Sequence, residues 1–335
     1  MSAVSTLRIA RPAVAAFAAM GVLWGSFAAD LPDIKTMLDI DESHLGALMF
    51  LTPIAAVCAM LVAPRLGVAF GRRAMLISCL LMCAAFLLPG QVTHLWLFPL
   101  AMMACGAGTG LTDVLMNARV ATIETQSGRP LMNLCHAAYS FGYAGGAVAT
   151  GAMRSAGWSP AWVLGSMALL AGLIALASYE QDGRIEGLAR PKDKAAAQMG
   201  LLPLIGGAMV LIAFLTENAA ENWSALHIEK NLGGSPSDGA MGPAVMAITM
   251  GVARLFGQGL ASRFPAVWLL TGGAVISASG ALGAALALTP AMAYGGFIVM
   301  GIGSSVIAPT VFSLVGQRSD PAARARAVAR ATLIG

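Results

Sequence analysis

Apolar runs recur along the chain and short polar intervals separate them. A helix needs about 20 apolar residues to cross a bilayer core. The runs at 12–31, 43–63, 74–89, 95–118, 131–153, 160–179, 201–226, 240–261, 267–288 and 291–315 are therefore predicted as ten membrane-spanning helices. Residues 321–335 (PAARARAVARATLIG) read as the lead-in to an eleventh span that the sequence does not finish. The longest polar interval, 180–200 (EQDGRIEGLARPKDKAAAQMG), mixes both charge signs with Gly and Pro, as a linker does. It divides the chain into a first bundle of six helices, 1–179, and a second, incomplete bundle, 201–335.

The two halves look duplicated. Gly106 and Gly108 match Gly301 and Gly303 at an offset of 195, and Lys35 matches Lys230 at the same offset. Composition agrees with the pattern: 58% of residues are hydrophobic, 11% are charged and mean hydropathy is +0.76. An all-α polytopic membrane protein is expected, and no soluble domain needs so much apolar sequence. Glycine is abundant, with 39 residues, as close helix packing in lipid requires. The five cysteines all fall in apolar runs and read as packing residues.

Charge sets the expected orientation. With the N-terminus cytoplasmic, the inner segments carry 16 of the 20 basic residues, among them Arg8, Arg11, Arg72, Arg73, Arg119 and Arg263. The outer segments carry only Lys35, Arg154 and Lys230, which follows the positive-inside rule. The net charge of +4 is modest, and no nucleic-acid partner is expected.

Within this apolar sequence a few polar residues stand out. Asp113 and Asn117 are four apart in the fourth span and share a helical face. An ionisable group at membrane depth is costly and marks a substrate or proton path. Asp113 is read either as a proton carrier or as a packing partner of Asn117. Glu217 and Glu221 also share a face, with Asn218 and Asn222 beside them and Trp223 following. Carboxylate, amide and indole together suit a polyhydroxylated ligand; the alternative is that Glu221 and Trp223 sit at the outer interface. His136 and Tyr139, three apart in the fifth span, either face the same path or pack in the core. Asp30 lies near the outer end of the first span, as part of the outer mouth or as an interfacial acid, and Trp24 reads as a packing residue. Arg254, the one base deep in a span, is expected to hold neighbouring helices together. Arg119 and Glu124 form either an ion pair with each other or two solvated charges.

Several stretches resemble the major facilitator superfamily. PRLGVAFGRR after the second span is similar to that family's cytoplasmic G-x-x-x-D-R-x-G-R-R motif: Gly71, Arg72 and Arg73 fit its end, while Val68 and Ala69 stand where its Asp and Arg would be. QGLASRF after the eighth span keeps Arg263 and has Ser262 in place of the acid. TDVLMNA, CHAAYSFG, ENAAENW and GVARLFGQ are similar to segments of the fucose-permease-like branch, including its YbjJ-type transporters. The resemblance implies a two-bundle helical fold, truncated after ten spans, with gating or structural roles for Arg72, Arg73, Arg254 and Arg263.

It also implies a secondary transporter of the inner membrane. The expected activity is proton-coupled uptake of a small polar solute such as a sugar or sugar-like acid. The alternatives are efflux of amphipathic compounds, or a truncated membrane protein that does not transport. The chain has no phosphate loop, metal-ligand cluster or nucleophile–base pair, so no enzymatic activity, cofactor or metal is expected. A monomer in the lipid bilayer is expected, with a small-molecule substrate and protons as its partners.

Overall fold

The computed structural model describes residues 3–129, 131–185, 200–261, 263–319, 331 and 334. The predicted linker therefore lies outside the described residues from 186 to 199, and so does most of 321–335. The helices are α1 (Ala3–Leu38), α2 (Glu42–Met49), α3 (Leu51–Phe70), α4 (Ala74–Ala85), α5 (Phe98–Ser127), α6 (Met132–Ser155), α7 (Pro160–Leu176), α8 (Leu202–Leu226), α9 (Pro236–Ala261), α10 (Ala266–Ala285), α11 (Pro290–Ser304) and α12 (Ile307–Arg318). A π-helical turn, His227–Asn231, continues α8. No strand occurs among the described residues.

Each predicted span falls on a helix or a pair of helices, and the differences have physical causes. The second and tenth spans are broken, between α2 and α3 and between α11 and α12. Both breaks lie about four residues before a proline, Pro53 and Pro309, whose ring crowds the carbonyl at that spacing and which has no N–H to donate. α5 runs past the predicted end at 118 to Ser127. Gly128, at φ +67°, then closes it by donating its N–H to the Glu124 carbonyl at 2.8 Å. Hydropathy marks where a helix leaves an apolar medium, not where its hydrogen bonding stops.

Seven helical stretches among the described residues are long and apolar enough to cross a membrane, and α7 is a shorter apolar helix. One of the seven joins α2, α3 and α4. α6 falls outside that set because Asn133, His136, Tyr139, Ser140 and Tyr143 interrupt its apolar sequence.

Small residues decide how the helices meet. α1 packs along α6: a Cβ on Gly21 would lie 2.1 Å from the Tyr139 carbonyl oxygen, and one on Gly25 would lie 1.9 Å from that of Tyr143. Gly142 and Gly146 of α6 meet the backbone of Ala18 and Val22 in return. Such close contact replaces the hydrophobic drive that lipid removes. The duplicated glycines make duplicated contacts: Gly108 sits on Met82 of α4 and Gly303 on Ser277 of α10, and these partners are again 195 apart.

α1, α2 and α4 to α7 share one core, which includes Phe17, Phe27, Phe86 and Phe98, while α3 packs in a smaller cluster through Ala63 against Leu111 and Leu115. A second core holds Met246, Phe297 and Met300. The helices that cross between them are α1, α6, α8 and α9. α1 and α6 meet α9 through a seam in which Ala28, Ala29, Ala144 and Ala147 face Ala240, Ala244 and Ala247.

The packing gives a paired test. Gly25→Ala drives a methyl into backbone and is expected to lower the melting temperature in detergent clearly, since overpacking costs about 1–3 kcal/mol. Gly145→Ala meets nothing within 4 Å and should leave it unchanged. Fluorescence-detected size exclusion after heating reads both. Equal melting of the two variants would contradict the close α1–α6 contact.

Candidate functional site

Polar side chains interrupt the apolar sequence of α5, α6, α8 and α9. On α5, Asn117 Nδ2 donates to Asp113 Oδ1 at 3.0 Å and to the Asp113 carbonyl at 2.9 Å. The predicted pairing along one face is therefore made, and both side chains are half-buried. On α8, Glu217 is buried and its Oε2 lies 3.5 Å from Nη2 of Arg254 on α9. Its other oxygen, Oε1, is buried with no hydrogen-bond partner among the described residues. This contact joins α9 to α8.

His136 and Tyr139 come from α6. The His136 ring packs edge-on against Phe17 with centroids 4.9 Å apart, and it lies within reach of the Arg254 charge. The charges of Glu221, Arg254, Glu217 and Asp113 all reach Tyr139 through space. Trp24 of α1 donates its indole N–H to Thr109 Oγ1 on α5 at 3.1 Å and stacks edge-on with Phe27 and Phe86. It does pack, as predicted, and it also carries a polar tie. Three carboxylates thus share one neighbourhood with one guanidinium and one imidazole. No group of side chains fit to hold a metal ion occurs among the described residues.

Other expected members stand apart. Asn218 is exposed and turns back to the Phe214 carbonyl at 3.0 Å. Trp223 packs against Gly46 of α2 and the first core. Asn222 is half-buried beside Glu221. A groove of about 710 Å³ beside α8 is lined by Trp223, His227 and Phe297 and includes none of the three carboxylates. Arg72 pairs with Asp182 at 3.5 Å, while Arg73 and Arg263 are exposed.

Arg119 does not pair with Glu124. Its side chain forks onto Glu180 at 2.8 and 2.7 Å, and Glu124 instead accepts from the N–H groups of Leu131 and Met132 at the start of α6. A carboxylate at a helix N-terminus satisfies donors that have no partner within the helix.

Sequence reading missed the most heavily bonded charge. Arg154, assigned to an outer loop, is the last basic residue of α6, and its side chain is wholly buried. It donates to Asp33 of α1 at 2.9 and 2.7 Å, to Glu229 of the π turn at 2.6 and 3.0 Å, and to the Ala29 carbonyl at 2.7 Å. Asp30 belongs to this cluster and not to an open mouth. It is fully buried, 3.7 Å from the guanidinium. Beside it, Glu42 accepts from both Lys35 and Lys230, the duplicated pair. The concentration of Asp30, Asp33, Glu42 and Glu229 at one predicted end was the available signal.

The ties between the two sets of helices cluster at this end: Arg154–Glu229, Lys230–Glu42 and a Ser155–Ser237 hydroxyl contact of 2.6 Å. At the opposite end, the ties of Arg119 to Glu180 and of Arg72 to Asp182 stay within the first 185 residues.

The family model described as Major Facilitator Superfamily matches residues 13–335. An uncharacterized MFS-type transporter of Yersinia pestis is 29% identical over 323 residues, covering 96% of this chain and 83% of that relative. Among solved structures, the xylose transporter XylE of E. coli in its inward open conformation aligns with a TM-score of 0.73 at 14% identity, over 98% of this chain and 87% of that one. The nucleoside transporter NupG aligns at 0.70 and 14% identity, over 97% and 86%.

Proposed function

The chain belongs to the major facilitator superfamily, a family of membrane transporters, and from that premise we propose that it carries out proton-coupled uptake of a small neutral polyol such as a sugar. The observation that carries the reading is the pair of polar sites, Glu217 of α8 against Arg254 of α9 at 3.5 Å and Asp113 against Asn117 on α5 at 3.0 Å. Carboxylates and amides bind hydroxyl groups in both directions, and tyrosine and tryptophan offer apolar ring faces. Three acids against one guanidinium disfavour an anionic ligand, so a sugar suits the site better than a sugar acid. Xylose and nucleosides, named for two proteins of similar fold, are polyols of the same kind.

In this reading residues 1–179 and 201–335 are two bundles that rock about the cluster. The N-terminus and the segment around Asp182 are cytoplasmic, because Lys and Arg concentrate there. The Asp33 end is then the outer one, and its cross-ties hold the protein closed to the outside. Asp113 carries the proton, because Asn117, its side-chain partner among the described residues, does not balance its charge. Glu217, paired with Arg254, and Glu221 bind the ligand or take part in the coupling.

Two measurements test this. In proteoliposomes with an imposed pH gradient, a panel of radiolabelled pentoses and hexoses is expected to yield at least one accumulated sugar. Asp113→Asn should abolish that accumulation while leaving exchange of the same sugar across the membrane. Undiminished accumulation in the variant would remove Asp113 from the coupling. In cells, a cysteine at Asp182, with Cys58 replaced by serine, should resist an impermeant maleimide until the membrane is permeabilised. Labelling of intact cells would reverse the orientation.

A further inference from the structure

The Arg154 cluster is tighter than a gate lock needs to be. A guanidinium has five N–H donors. All five are in use: one on the Ala29 carbonyl, two on Asp33 and two on Glu229. Asp30, buried at 0% exposure and 3.7 Å away, receives none, and both of its oxygens lack a hydrogen bond among the described residues. A carboxylate sealed from water without a donor is not tolerated as an anion, and here two further acids press on the same spot.

The charged groups acting on Asp30 are Arg154 from α6, Glu229 from the π turn after α8, and Asp33 from its own helix. α9 faces this end with Ala240, Ala244 and Ala247. Its first-turn acid, Asp238, is turned to Ser235 at 2.7 and 2.9 Å. Lys35 is committed to Glu42.

We propose that Asp30 is a proton-binding site that governs this end of the molecule, distinct from the Asp113 and Glu217 sites. In the closed form Glu229 completes the guanidinium and Asp30 holds a proton. On opening, Glu229 leaves with α8 and frees two donors of Arg154. Asp30 takes them as a carboxylate, and its proton passes to the water that enters. One acid replaces another on Arg154, so the guanidinium is never left unpaired.

The sign follows from linkage. The closed form binds one more proton than the open form, so low pH favours closure. The open-to-closed ratio rises by at most about tenfold per pH unit as pH increases. The inference rests on the transporter reading only in taking this end to open at all.

The test uses the purified full chain and needs no substrate, so its failure is separate from any failure of transport. Ser155 and Ser237 are exposed and in contact across the seam. A bimane on Ser237→Cys, in a Cys58→Ser background, is quenched by Ser155→Trp only when the two helices are close; the same label without the tryptophan corrects for direct effects of pH. Quenching should fall as pH rises. Asp30→Asn, a neutral mimic of the protonated acid, should stay quenched at every pH. Glu229→Gln should be weakly quenched throughout, because Asp30 then keeps Arg154. Quenching that ignores pH in the parent protein, or that titrates as steeply in Asp30→Asn, would overturn the proposal.

Discussion

A guanidinium cannot be buried in an apolar bundle unless its donors are met, and Arg154 imposes that condition on everything around it. Its partners come from α1, from the turn after α8 and from the backbone beside Asp30. Losing one partner of a buried ion pair costs several kcal/mol, far more than a surface pair is worth. The helices that meet there are therefore held in one arrangement, or they must move to another that satisfies the same five donors. Such a group favours two states over a continuum.

The same elements carry the carboxylate cluster. α6 bears His136 and Tyr139 along its length and Arg154 at its end, while α8 bears Glu217 and Glu221 and leads into Glu229. The seam where α1 and α6 meet α9 is mostly alanine, with Tyr143 buried in it and Trp24 and Tyr139 packed against it. A helix is stiff over this distance, so a displacement at the Arg154 end is carried to the cluster. Arg254 pairs with Glu217 inside the cluster, so α8 and α9 shift together there.

Much of this was written in local sequence. The spans follow from hydropathy, and the Asp113–Asn117 bond follows from a four-residue spacing on one helix. The helix breaks near residues 50 and 305 were not read from the sequence: Pro53 and Pro309 follow them, but Pro32, Pro64 and Pro243 stand inside unbroken helices. Arg154 was not legible, because its partners lie 121 and 75 residues away and charge counting places a terminal arginine in water. Arg119 misled for the same reason: Glu124 is near in sequence, but Glu180 is near in space. Asn218 shows the converse. It adjoins Glu217, yet one residue is a rotation of about 100° on a helix, and that turns it away from the cluster.

If the Glu229–Arg154 link shuts the Asp113 region off from one side, weakening that link should open it. Asn117→Cys places a probe beside Asp113, and Cys58→Ser removes the exposed native thiol. The rate of its reaction with an impermeant methanethiosulfonate, applied to intact cells, reads access from the outside. Glu229→Gln leaves Arg154 and Asp33 in place and weakens only the link between the two sets of helices. That rate is expected to rise about tenfold or more in Glu229→Gln, in line with the loss of a buried charged partner. An unchanged rate, in a variant that remains folded by size exclusion, would show that this end is held shut by something other than the buried guanidinium.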